Sequence, residues 1–161
     1  MRKLLEWVIP LTLASASWAQ NDGCDTPGCE LADTIFGEVD KHPNSSIDKG
    51  EFLDFGRSVF TSMDSNEDKS VDFEEFSTFD FGFKAIAQDA GRPEAYDTAQ
   101  RILFAMFDRD GNLSIAVVEF EAVMNADFHK ADLDNDENLT RAEYLDGYMI
   151  NIAYRAALEG Q

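Results

Sequence analysis

The sequence predicts an all-α chain built from two related halves. Two observations lead there. Apolar residues recur at helical spacing between acidic stretches, as in Phe52, Phe55, Val59, Phe60 and Met63, and again in Phe120, Val123, Met124, Phe128 and Ala131. Four twelve-residue acidic windows also return at fixed intervals: Asp40–Glu51, Asp64–Glu75, Asp108–Glu119 and Asp132–Glu143. Their starts lie 24 residues apart within a half and 68 apart between halves, the signature of an internal duplication.

The chain has 161 residues, with 32 acidic against 13 basic and a formal net charge of −19. That balance excludes the basic patches that nucleic acid and anionic membranes select for, and suits cations or a basic partner. Thirteen phenylalanines at helical spacings argue for a folded chain rather than an acidic coil.

At the N-terminus, MRK, the apolar run LLEWVIPLTLA and the small-residue stretch SASWAQ predict a signal peptide over residues 1–19 and an exported protein, periplasmic or secreted. Its apolar run is too short and interrupted for a membrane span. Cleavage after Ala19 removes Arg2, Lys3 and Glu6, taking the charge from −19 to −20, and takes away both tryptophans, Trp7 and Trp18. Residues 20–30 follow, with Cys24 and Cys29 spaced as CDTPGC. In an exported chain this pair predicts a disulfide-closed loop with Pro27-Gly28 at its turn. The two halves are expected over 31–89 and 92–161. Between them, Gly91 ends one helix and Pro93 suits the first turn of the next.

Only twelve residues separate the windows within each half. A single helix of that length spans about 18 Å, leaving little room for two helices and a turn. One shared helix is the simpler reading of 120–131, whereas Gly56 is a candidate break in 52–63. A straight shared helix would put its two windows at opposite ends, so windows would pair across the halves or stay unpaired. After the second and fourth windows, FEEFSTFDFGFKAIAQ and YLDGYMINIAYRAAL read as helices. The first carries Phe73, Phe76, Phe79, Phe81 and Phe83, more than one face can bury.

The windows resemble the loops of the EF-hand family, whose pattern is D-x-[DN]-x-[DN]-G-x5-E. Oxygen-bearing side chains stand at positions 1, 3 and 5 (His42 apart), Glu at position 12, and Ile47, Val71, Ile115 and Leu139 at position 8. The resemblance covers about residues 31 to 158, and the compact spacing looks like that of exported bacterial calcium-binding proteins. It implies helix–loop–helix pairs, with calcium held by six to eight oxygens.

Each window offers its own ligand set. Asp132, Asp134, Asp136, the Asn138 carbonyl, Thr140 and Glu143 meet every requirement. Asp64, Asn66, Asp68, the Ser70 carbonyl, Asp72 and Glu75 come next. Asp108, Asp110, Asn112, Ser114 and Glu119 form a third set, with Ala116 leaving position 9 to water. In the first window Asp40, Asn44, Asp48 and Glu51 remain, but His42 puts an imidazole where a hard ion wants oxygen, and Pro43 stiffens the turn. That window reads as a degenerate hand retained for structure, binding weakly or not at all, with a transition-metal site through His42 as the alternative.

None of the four has glycine at position 6, where the backbone must turn with positive φ. Ser45, Lys69, Leu113 and Glu137 stand there. The strain costs about 1–2 kcal/mol, roughly tenfold in affinity. The expectation is moderate calcium affinity at 64–75 and 132–143. For 108–119 it is weak binding, or binding only once 132–143 is filled.

Two readings stay open: a calcium buffer or calcium-dependent structural module, and a sensor that docks a basic or apolar protein partner through the phenylalanine-rich helix 73–86. An enzyme finds no support, since no serine or cysteine sits beside a base and the carboxylates are taken by the windows.

Overall fold

The computed structural model describes residues 24–42 and 44–159. The expected signal peptide over 1–19, and Pro43, lie outside the described residues. The described residues are mostly helical, in the order α1 (Pro27–Val39), β1 (Ser46–Asp48), α2 (Lys49–Met63), β2 (Ser70–Asp72), α3 (Phe73–Thr78), α4 (Phe83–Asp89), α5 (Pro93–Phe107), β3 (Ser114–Ala116), α6 (Val117–Ala131), β4 (Asn138–Thr140), α7 (Arg141–Gly147) and α8 (Met149–Glu159).

Helix α1 begins sooner than expected. Cys24 and Cys29 are joined by a disulfide, but Pro27 and Gly28 do not form a turn within its loop. Thr26 caps the helix, its hydroxyl accepting from the Cys29 amide at 3.3 Å, and Pro27 takes the first helical position. Proline suits that place because its missing N–H would have had no intrahelical partner. At Gly28 α1 comes close to α8: a Cβ there would stand 3.0 Å from Leu158 Cδ1.

Both connections between windows are single helices, α2 and α6, of 15 residues each. Gly56 does not break α2. It is the point of close approach to α6, where a Cβ would lie 2.9 Å from Met124 Cε. Phe52 meets Phe128 (5.5 Å between ring centroids) on one side and Phe60 meets Phe120 (5.3 Å) on the other, so the two helices run antiparallel. Met124 lies 68 residues after Gly56, the repeat interval, so equivalent positions of the two halves face each other at the crossing.

The strands follow from this crossing. β1 pairs with β4, with Ile47 opposite Leu139, and β2 pairs with β3, with Val71 opposite Ile115, both antiparallel. All four of these residues are fully buried. Each sheet therefore joins one window from each half, and the two sheets cap opposite ends of a helix pair about 22 Å long. The halves interlock.

The segment after each half's second window breaks where a continuous helix was expected. Residues 73–86 hold the whole of a short helix, α3, and the start of another, α4, with Phe79 extended and Gly82 at φ +110°. Asp80 holds the break: one of its oxygens accepts from the Lys84 amide (3.2 Å) and from the Tyr96 hydroxyl (3.1 Å). The physical reason lies in the phenylalanines. The break sends Phe76 against Phe104 and Phe107 and Phe83 against Tyr154, two directions that one helix face cannot serve. The counterpart segment breaks at Tyr148, between α7 and α8. Between the halves, Gly91 (φ +69°) ends α4: its amide bonds to Gln88 O and the Arg92 amide to Ala87 O, the paired bonds that close a helix on a left-handed residue.

Candidate metal centre

The four windows are built by the same backbone bonds. The carboxylate at position 1 accepts from the amide at position 6 in all four: Asp40 from Ser45 (3.1 Å), Asp64 from Lys69 (3.0 Å), Asp108 from Leu113 (2.9 Å) and Asp132 from Glu137 (3.1 Å). The glutamate at position 12 accepts from both ends of its loop. Glu75, for example, takes the Ser65 amide (3.0 Å) and the Asp72 amide (3.1 Å), and Glu143 takes Leu133 (2.9 Å) and Thr140 (2.9 Å). Glu119 does the same with Arg109 and Ala116, and Glu51 with Lys41 and Asp48. In the third window Asp108 and Glu119, 11 residues apart in sequence, are thereby drawn to one centre.

Position 6 is left-handed in every window, with φ +66° at Ser45, +69° at Lys69, +70° at Leu113 and +66° at Glu137. Position 4 turns the same way at Glu67, Gly111 and Asn135. Gly111 therefore does not spare Leu113 its strain, because both residues are left-handed. Leu113 also leaves its side chain 75% exposed.

Position 9 serves as the N-cap of the following helix. Asp48 and Asp72 each accept from the glutamate amide at position 12 (2.9 Å each), and the Thr140 hydroxyl accepts from Glu143 N at 3.3 Å. Ala116 has no acceptor, so in the third window this bond is missing. Position 5 supports the strand: Asn44, Asp68, Asn112 and Asp136 all accept from the amide at position 7. Ser70, Ser114 and Asn138 at that seventh position are strand residues.

Among the described residues, three groups bring three ionisable ligand atoms within 4.8 Å of one another: His42, Asp48 and Glu51; Asp108, Asp110 and Glu119; and Asp132, Asp134 and Asp136. The second window has the same bonds but carries an amide, Asn66, at position 3. The donor sets of the third and fourth windows fit a hard dication, being all oxygen.

Crowding shows in the charges. Burial and the neighbouring Asp136 carboxylate raise the pKa of Asp134, with Glu143 and Asp132 adding to it. Burial works against the charge of Glu143 as well, but bonds from Thr140 and Leu133 outweigh it and leave that pKa lowered. Glu51 is lowered in the same way, burial being overcome by bonds from Asp48, His42 and Lys41. Asp68 is lowered chiefly by the Ser70 hydroxyl.

No family model matches the chain, and no curated protein matches it. The site is therefore read from its own residues.

Sequence reasoning missed Asp127. It is 4% exposed on α6 and accepts from the Met149 amide (3.0 Å), so it caps α8 from another helix. Burial pushes its pKa up to about 6, against the bond from Met149 and the charge of Lys130. Its counterpart 68 residues earlier is Val59, so the repeat gave no signal for it. The windows pair across the halves, as a straight shared helix requires. The neighbour bridged to 108–119 is 64–75, through Val71 and Ile115, and not 132–143.

Proposed function

We propose that this is an exported calcium-binding protein of EF-hand type, acting as a buffer or as a module whose fold depends on calcium. The observation that carries the reading is the shared loop scaffold. In all four windows the first and twelfth carboxylates are held by amides of their own loop, over a left-handed sixth residue. A solvated acidic surface has no reason to repeat that arrangement four times. Asp132, Asp134, Asp136 and Glu143 would hold one ion, and Asp64, Asn66, Asp68 and Glu75 another; Asp108, Asp110, Asn112 and Glu119 would bind more weakly. Repulsion among these carboxylates without a cation puts part of the binding energy into folding.

A sensor docking partners through residues 73–86 has less support. Phe76 and Phe83 are buried, and Phe73, Phe79 and Phe81 are partly buried against other rings. Exposed apolar side chains lie elsewhere, at Ile102, Leu113, Val118 and Leu133. No helix among the described residues is long and apolar enough to cross a membrane.

Calorimetric titration of calcium into the purified protein tests the proposal. At least two ions are expected to bind, with affinity below that of glycine-hinged loops. An absence of binding heat would overturn the calcium reading, and nanomolar binding would overturn the strain argument. Export has its own test: purified material should lack indole fluorescence, since both tryptophans lie in residues 1–19.

A further inference from the structure

We propose that the first window, Asp40–Glu51, is a site for a borderline transition dication of the zinc class rather than for calcium. It is the one window with a nitrogen donor. His42 Nδ1 stands 2.8 Å from Glu51 Oε1, and with a carboxylate oxygen of Asp48 these atoms lie within 4.8 Å of one another. Calcium takes oxygen ligands only, whereas imidazole with carboxylates suits zinc. Tetrahedral zinc with bonds near 2.0–2.1 Å sets its ligand atoms about 3.3 Å apart, so small side-chain shifts complete the set. Three protein ligands leave a fourth position open to solvent, in keeping with a His42 side chain that is 78% exposed over a Glu51 side chain that is 5% exposed.

A second observation, outside this trio, sets the window apart from the other three. Asp40 Oδ1 is buried with no hydrogen-bond partner. In the other three windows the equivalent oxygen accepts from the fifth residue's amide: Asp64 from Asp68, Asp108 from Asn112 and Asp132 from Asp136, at 3.1 Å each. Here the fifth residue, Asn44, donates instead to the His42 carbonyl. The result is a carboxylate oxygen removed from water and given no donor, which the other three windows avoid. The bond from His42 Nδ1 to Glu51 is not needed to satisfy the glutamate, which already accepts from the amides of Lys41, His42 and Asp48. A metal ion would replace the proton that Nδ1 shares with Glu51. The other histidine is committed elsewhere, with His129 Nε2 3.0 Å from Lys49 Nζ.

The proposal rests on the donor set and not on calcium at the other windows. The test is a zinc titration of the whole protein, after calcium has been added to saturation, followed by calorimetry and by the NMR signals of its two imidazoles. One zinc ion is expected to bind, shifting His42 and leaving His129 in place. His42→Asn is expected to weaken zinc at least tenfold, the lower end of what even outer-shell changes cost. His42→Asp should lose zinc while adding one calcium equivalent. An unmoved His42 signal, equal zinc affinity in His42→Asn, or displacement of zinc by calcium at similar concentration would each overturn it. A failure of the calcium reading would show separately, as missing heat before any zinc is added.

Discussion

The two ends of the molecule are built alike and impaired differently. At one end β1–β4 joins 132–143, whose ligand positions are all oxygen, to 40–51, where His42 changes the donor chemistry. At the other end β2–β3 joins 64–75 to 108–119, which keeps its oxygen donors but has Leu113 at its left-handed turn and no cap at Ala116. Each end thus couples an intact window with an altered one. The difference separates two ways a loop can depart from its pattern: by what it offers the ion, and by what caps the helix that follows, since a left-handed sixth residue is common to all four.

The largest expected effect tests which windows are coupled. Glu143→Gln removes a carboxylate that both ends of its loop donate to, and should weaken its own window about a hundredfold, or ~3 kcal/mol. Its influence should pass across the β1–β4 bridge to 40–51, while 64–75 and 108–119 keep their affinities. Glu75→Gln should do the reverse and weaken 108–119. Site-resolved titration by NMR reads both, with zinc as the probe at 40–51 and calcium at the other windows. If Glu75→Gln weakened 40–51 instead, coupling would run along α2 and the end-to-end comparison would break.

Asp127 sharpens the comparison between halves, because its counterpart is Val59. Its folded pKa of about 6 lies above the ordinary carboxylate value, so the protonated form is the one the fold favours. Its contribution to stability is full below about pH 4 and is lost as pH rises through 6. Asp127→Asn keeps an acceptor for the Met149 amide without a buried charge. It should stabilise the protein by about 3 kcal/mol at neutral pH, and the difference between variant and parent should nearly vanish near pH 4. Denaturant unfolding across that range measures it. A difference constant with pH would show that Asp127 is not titrating there.

The smallest effect concerns the turn. Leu113→Gly removes left-handed strain of about 1 kcal/mol, partly offset by the freedom glycine gains in the unfolded chain. Calcium affinity of 108–119 should rise several-fold, with no change at 132–143. An unchanged affinity would mean that the missing Ala116 cap, not Leu113, limits that window.

Much of this arrangement is legible in the sequence because it is local. The spacing of Asp132, Asp134, Asp136 and Glu143, and the need for a left-handed sixth residue, follow from how far a twelve-residue loop can wind. The shared helices follow from a spacer too short for anything else. The break at Asp80–Gly82 was not legible. It depends on Phe76 and Phe83 finding partners on α5 and α8, a choice that the helical periodicity of 73–86 does not express. Asp127 was hidden for the same reason, since its burial is created by α8, 22 residues away.

By itself, then, the sequence determined the duplicated acidic loops, the helices between them and the donor atoms each loop presents. These depend on bonds within about a dozen residues. Tertiary structure alone decided that 40–51 faces 132–143 and 64–75 faces 108–119. That choice arises where α2 and α6 cross antiparallel at Gly56 and Met124, because a straight helix between two loops holds them too far apart to meet. The same crossing brings an intact loop beside an altered one at each end.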